Sequence, residues 1–460
     1  MDMINKSLKE LQRKVSGPII TPLMLGYDES RTIWNARINR YPAVIVQCVD
    51  TTDIIEAVKY AREHEQLLSI KSGGHNHVGF AVCDAGMMID LSKMKRVNLD
   101  PENKLINIQP GLTFSDFDTI THKAGLAATG AIISMVGVPG FTLGGGLGWL
   151  HRKAGLGCDN LVSAEIVTAS GELVLANEKE NNDLFWALRG GGGNFGIVSN
   201  FEFKLHPVKN VLAGLIFHPL EELPQVVSFI QNFMVSAPDE LCIWLFMRKA
   251  PKSPILPEAL HGRHVVAIGV CYAGTISKGE EILAPVRKFK KPIIDLIKVR
   301  TYLEWQSAFD SIWGDGFRNE WMGHYIDDLD NTTIDTLLEY VSRVTSPYTD
   351  VKLISLGGAI SRLGENDTAF SFRNSRFAMV IQTRWKDPGE DEKHLKWTHE
   401  FFDAMKSHGT GKVYLNFISD EGDSRVKQAY NPSTFKRLQK IKTQYDPSNF
   451  FRMNQNIKPA

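Results

Sequence analysis

The chain has 460 residues, 43% hydrophobic and 23% charged, with 52 basic and 52 acidic side chains. That length allows two or three domains with ample core, and zero net charge gives no pull towards nucleic acid or an anionic membrane. The five cysteines, Cys48, Cys83, Cys158, Cys242 and Cys271, are scattered and include no C-x-x-C pair, which argues against a disulfide framework or a zinc site and fits a reducing compartment. Residues 1–17 lack the apolar stretch of a secretory signal, and no run is long enough to span a bilayer. The expectation is a cytoplasmic protein, with oligomeric state left open.

In chain order, residues 44–49 predict a strand. Asp50-Thr51-Thr52 then supplies capping side chains for a helix with Ile54, Ile55, Val58 and Ala61 at helical spacing. Leu67, Leu68 and Ile70 predict a short buried strand that runs into Lys71-Ser72-Gly73-Gly74-His75-Asn76. Further strands are expected over 87–91, 105–109, 164–168 and 196–205, with a turn at Ser170-Gly171. This first part ends near His206-Pro207. Beyond it, helical patterns over 220–234, 334–344 and 392–405 alternate with strand candidates over 265–272, 351–356, 377–384 and 412–417. Residues 430–459 are polar and aromatic, with turn signals at Asn431-Pro432 and Asp446-Pro447-Ser448. The fold class is α+β, its second part a largely antiparallel sheet covered by helices.

Three glycine clusters carry the chemistry. Ser72-Gly73-Gly74 leaves amides uncovered where a strand ends, a concavity suited to phosphate or pyrophosphate. His75 is unnecessary for that task and reads as a point of covalent attachment. Residues 137–148 and 190–196 are the other clusters. Gly191, Gly193 and Gly196 spell G-x-G-x-x-G, yet a helical run precedes them and a strand follows, the reverse of a dinucleotide fingerprint, so that reading is rejected. No Walker, G-x-S-x-G or H-E-x-x-H motif occurs. His75 and His77 lack a cysteine or carboxylate cluster, so no metal site is expected. One cluster alone would be a tight turn; three point to backbone approaching one large ligand.

From about Tyr41 to the C terminus the chain resembles the berberine-bridge-enzyme-like flavoproteins, with the p-cresol-methylhydroxylase type of flavin domain found in the vanillyl-alcohol oxidase superfamily. The resemblance rests on residues 72–76, 144–148, 155–160 and 183–196 and on the ending at 445–456. It implies two domains: FAD bound by 1–207 (core 41–207), substrate bound by 208–422, and a segment 423–460 returning to the FAD domain. The FAD-contacting residues it implies are Lys71, Ser72, Gly73, Gly74, His75, Asn76, Gly79, Val136, Gly137, Gly140, Thr142, Gly145, Asp159, Gly196, Val198, Asn454 and Asn456. His75 matches the histidine joined to the flavin 8α-methyl carbon. Ile133 stands where many relatives have a second, cysteinyl link, and Cys158 is no substitute, so one link is expected, as in singly linked bacterial members. That departs from typical oligosaccharide oxidases and lowers the expectation of a sugar substrate. Phe141 and Leu147 replace a histidine and a tyrosine common in plant members, and Val136 matches a position associated with oxygen access.

The resemblance implies hydride transfer from a substrate C–H to the flavin, with a base taking a proton from the adjacent oxygen or nitrogen. On a strand, alternation would put Lys412, Tyr414 and Asn416 on one face, and Tyr-x-Asn resembles the family's active-site strand. Tyr414 is the candidate base, paired with Asn416 and lowered in pKa by Lys412 or Arg384. It is otherwise a structural tyrosine at the domain interface, or a positioning group for an amine. Gly357-Gly358-Ala359 and Arg362 read as a second strand near substrate or as a bend with a surface arginine. Trp305 and Trp313 read as pocket lining or core. The expected function is oxidation of a small alcohol or amine with O2 reduced to H2O2. The alternatives are an oxygen-unreactive dehydrogenase or tailoring enzyme, and a low-turnover flavoprotein with a binding or coat role.

Overall fold

The structure, a computed structural model, describes residues 2–252 and 256–460, with side chains from residue 7 onward. The architecture is α+β. Strands Ile19–Ile20, Val44–Gln47, Met87–Asp90 and Leu68–Lys71 lie side by side in that order, the last three parallel. Parallel strands are covered on both faces, so they read as near-continuous apolar runs. The first crossover is the helix Thr51–Glu63, capped by the Asp50 side chain on the Asp53 N–H, with Ile54, Ala57, Val58 and Ala61 buried. Strands Val97–Asp100, Leu105–Ile108, Ile197–Lys204, Leu161–Val167 and Leu173–Asn177 form a second, antiparallel sheet in that order.

Residues 210–385 supply an antiparallel sheet of eight strands. From its middle to one edge it runs His264–Tyr272, Leu241–Lys249, Asp350–Ser355, Phe377–Trp385 and Arg318–Ile326. Alternation splits it into two faces. Ile243, Leu245, Met247, Val351, Leu353, Met379 and Ile381 share a core with Val226 and Ile230, Leu337 and Val341, and Phe401 and Met405. These come from the helices Leu223–Phe233, Asn331–Ser342 and Asp391–Met405. Each such buried side chain stabilises the layer by roughly 1.5–3 kcal/mol. The alternate positions carry Trp244, Phe246 and Ile354, which pack with Trp34, Ile133 and Trp149 of the first part. Lys352 and Gln382 lie diagonally across neighbouring strands on that face, Gln382 opposite Asp350 and Lys352 opposite Val380.

Three expectations need correction. Residues 412–417 are not a strand: Leu415–Phe417 forms a single 3-10 turn, closed by the Phe417 N–H on the Tyr414 carbonyl. The segment still docks on the sheet edge, where the Tyr325 N–H donates to the Lys412 carbonyl. Asn431-Pro432 is no turn either. Asn431 caps the helix Pro432–Tyr445 through the Thr434 N–H, and Pro432 takes the first helical position, where its missing N–H costs nothing. Of the two readings of residues 357–362 the strand is not formed and the bend with a surface arginine is: Gly358–Arg362 is a 3-10 turn, and exposed Arg362 pairs with Asp239. Among the described residues no helix is long and apolar enough to cross a membrane, and no group of three or more metal-ligating side chains converges.

Candidate active site

A cavity of about 340 Å³ lies where the glycine turns of the first part meet the large sheet. Gly73 and Gly74, Gly137 and Gly140, and Gly192, Gly193 and Gly196 all line it, so the three clusters converge. The first two touch backbone to backbone, since a Cβ on Gly73 would stand 2.4 Å from the Gly137 nitrogen. Gly140 and Gly193 have no heavy atom within 4 Å of an added Cβ, leaving a cradle of bare backbone that a side chain would fill. Asn454 closes this wall from the C-terminal segment. Its Nδ2 donates to the Gly193 and Phe451 carbonyls at 3.0 and 3.1 Å, while its buried Oδ1 has no protein partner. Exposed amides, an orphaned acceptor and an apolar floor of Ile133, Val136 and Val198 suit a large ligand with a phosphate-bearing tail and a flat ring, as FAD has.

His75 stands at the junction of the walls. Its ring stacks on Trp34 at 4.7 Å between centroids. Burial, helped by the Arg384 guanidinium, lowers its pKa to about 3, so the imidazole is neutral and keeps a free nitrogen lone pair. Ile133 is at the same cavity, whereas Cys158 is buried away from it and burial pushes its thiol well up.

Tyr414 and Asn416 reach the cavity together although they are not on a strand. The Tyr414 hydroxyl oxygen accepts hydrogen bonds from the Gly146 N–H at 2.8 Å and from Asn416 Nδ2 at 2.9 Å. The triple glycine makes room for them. A Cβ on Gly144 would overlap the Asn416 side chain at 2.0 Å, and one on Gly145 would meet Phe370 at 2.6 Å and Tyr414 at 3.1 Å. No cation lowers Tyr414. Lys412 lies over the Phe372 ring at 4.5 Å, and Arg384 lies against Trp313 and Phe317. Burial instead drives the phenol well above its ordinary value, against the pull of the Gly146 and Asn416 hydrogen bonds.

Of the FAD contacts expected from the resemblance, Ser72, Gly73, Gly74, His75, Asn76, Val136, Gly137, Gly140, Gly196, Val198 and Asn454 line the cavity. Lys71, Gly79, Thr142, Gly145, Asp159 and Asn456 do not. Lys71 Nζ donates to the Ser30 carbonyl at 2.6 Å, and the Gly79 carbonyl accepts from Arg40 at 2.7 Å. Asp159 is bound by both Arg373 Nη atoms, at 3.0 and 2.7 Å, which holds two loops together rather than a ligand. Thr142 is buried, and the space beside Gly145 is filled by Phe370 and Tyr414. Trp313 lines the cavity, whereas Trp305 packs on Trp149 at 5.1 Å. Phe141 and Leu147 also line it, as apolar groups. Sequence reading missed Trp244, Trp321, Lys352 and Gln382. The signal was a lysine and a glutamine inside otherwise apolar strand candidates.

Residues 42–177 match the family model of the FAD binding domain, and residues 413–458 that described as berberine and berberine like. The chain is 30% identical to the Bacillus subtilis (strain 168) uncharacterized FAD-linked oxidoreductase YgaK, over 97% of this chain and 98% of that one. It is 28% identical to (R)-6-hydroxynicotine oxidase of Paenarthrobacter nicotinovorans, over 97% of both. The crystal structure of 6-hydroxy-D-nicotine oxidase from Arthrobacter nicotinovorans matches with a TM-score of 0.88 at 27% identity, over 97% of this chain and 98% of that one. Full-length likeness and the converging glycine turns agree: the chain belongs to the berberine-bridge-enzyme-like family of FAD-linked oxidoreductases.

Proposed function

We propose that the protein is an oxidase acting on a C–H beside the alcohol or amine group of a small molecule, with FAD joined through His75 alone and O2 reduced to H2O2. Residues 1–207 and 423–460 hold the cofactor in this reading, and 208–422 shape the substrate pocket. FAD, when bound, supplies the hydride acceptor and the reaction with O2. The chain supplies the rest. Neutral His75 offers a nitrogen lone pair at the cavity, and Ile133 offers no thiol for a second bond.

Tyr414 and Asn416 are the proposed catalytic pair. Two N–H groups occupy the phenolic oxygen, so its own hydrogen is left to point at a substrate oxygen or nitrogen. Burial keeps that phenol protonated, which makes it a donor that orients the reacting carbon. A neutral amine needs no base, whereas an alcohol must give its hydroxyl proton to a base that a protonated Tyr414 cannot be, so this contact favours the amine. Val136, with its short side chain in the floor, leaves space for O2 in this reading.

The observation that carries the proposal is the meeting of three glycine turns, His75 and the Tyr414–Asn416 pair in one cavity. The names of the 6-hydroxynicotine oxidase relatives support an amine over a sugar. The test is anaerobic mixing with sugars, alcohols and cyclic amines, followed by readmission of air. Bleaching of the flavin absorbance, then its rapid return with peroxide, is the expected result. Bleaching without return identifies a dehydrogenase; no bleaching by any compound sinks the catalytic reading.

A further inference from the structure

The cavity-facing side of the large sheet carries four buried charged groups, Arg248, Asp350, Lys352 and Arg384, and they do not balance. Asp350 is the one acid of the four; its Oδ2 lies 3.4 Å from Arg248 Nη1 and 3.7 Å from Lys352 Nζ. Arg384 has no carboxylate partner among the described residues. Its Nη atoms donate to the Ile312 and Gly314 carbonyls at 2.8 and 3.1 Å, and its Nε to Asn319 Oδ1 at 3.2 Å. Trp313 sits against both surplus cations, its ring 4.2 Å from Lys352 Nζ and 4.4 Å from Arg384 Cζ. Stacking on an indole recovers part of the cost of burying a cation, and a net positive cluster still lacks negative charge.

A second observation points the same way. Lys352, 2% exposed, lines the cavity and donates to Gln382 Oε1. The indoles of Trp313 and Trp321 line it too, and each has a buried Nε1–H without an acceptor. An indole nitrogen donates and never accepts. Burial, with Arg248 and Arg384 pushing the same way and Asp350 opposing, lowers Lys352 to about 8.

Resting on the oxidase reading above, we propose that the substrate carries a carboxylate, bound by Lys352 with the donor-rich indole wall around it. A substrate ammonium would add another positive charge here, and a neutral sugar would leave the surplus uncompensated. Arg384, locked by neutral acceptors behind Trp313, contributes its field rather than a contact.

Isothermal titration of the holoenzyme, kept anaerobic with its flavin pre-reduced, with benzoate, benzyl alcohol and benzylamine tests this without turnover. Benzoate is expected to bind roughly 10- to 100-fold more tightly than benzyl alcohol, with benzylamine weakest. Lys352→Met is expected to erase that preference, and Lys352→Arg to keep it. Should Lys352→Met fail to fold, Lys352→Gln is read the same way. Absence of benzoate binding, equal affinity for the alcohol, or an undiminished preference in the uncharged variant overturns the proposal. Failure of the oxidase reading looks different: a flavin that no compound reduces, whatever binds.

Discussion

On the wall formed by residues 72–76, 137–140 and 192–198 the surface facing the ligand is mostly backbone, whereas the large sheet faces the same cavity with Trp321, Lys352 and Gln382. The first wall works by removing side chains. Turns meet so closely that a Cβ on Gly73 has no room beside the Gly137 nitrogen. The second works by choosing side chains, on strands whose other face is committed to the helix layer. Backbone amides recognise a shared cofactor in any sequence that keeps the glycines, while side chains on a sheet can change without disturbing the fold. The backbone wall suits the cofactor, and in the proposed reading the side-chain wall meets the substrate.

The comparison is easiest to break at the backbone wall. Gly73→Val, whose Cβ would stand 2.4 Å from the Gly137 nitrogen, is expected to abolish flavin incorporation. The ratio of flavin to protein absorbance reads this, with far-ultraviolet circular dichroism checking the fold; full flavin content would break the picture. Tyr414→Phe comes next. It should retain flavin and lower kcat about 10²-fold, through lost orientation of the reacting carbon. Because burial lifts the phenol above its ordinary value of 10.0, the wild-type rate should show no limb from Tyr414 at neutral pH. A neutral-range limb that vanishes in Tyr414→Phe would make this residue the base instead. The smallest effect belongs to Lys412→Ala, which removes a cation over Phe372 outside the cavity. Its kcat should change by less than about twofold, and a larger drop would restore Lys412 to the site.

These walls also differ in how far the sequence reveals them. Ser72-Gly73-Gly74-His75 is legible because uncovered amides demand glycine in consecutive positions, and the constraint is local. Tyr414 and Asn416 were expected together for a reason that does not apply: they converge through a 3-10 turn and two shared hydrogen bonds, not through strand alternation. Lys352 and Gln382 were invisible as a pair because only the register of Asp350–Ser355 against Phe377–Trp385 brings them together. Their strands were anticipated, but period two does not say which face meets a cavity. Leu241–Lys249 went unseen because a continuous apolar run has no period to read. Asp159, by contrast, sits in a conspicuous motif and is spent on Arg373.

The proposed attachment at His75 lies at the cavity both walls share, and one measurement addresses it directly: acid precipitation of the purified protein and of His75→Ala, followed by intact mass. The predicted result is colour that stays with the precipitated wild type, with the added mass of one FAD, and colour released to the supernatant by the variant. Flavin released from the wild type, or retained with added mass in His75→Ala, would contradict the account.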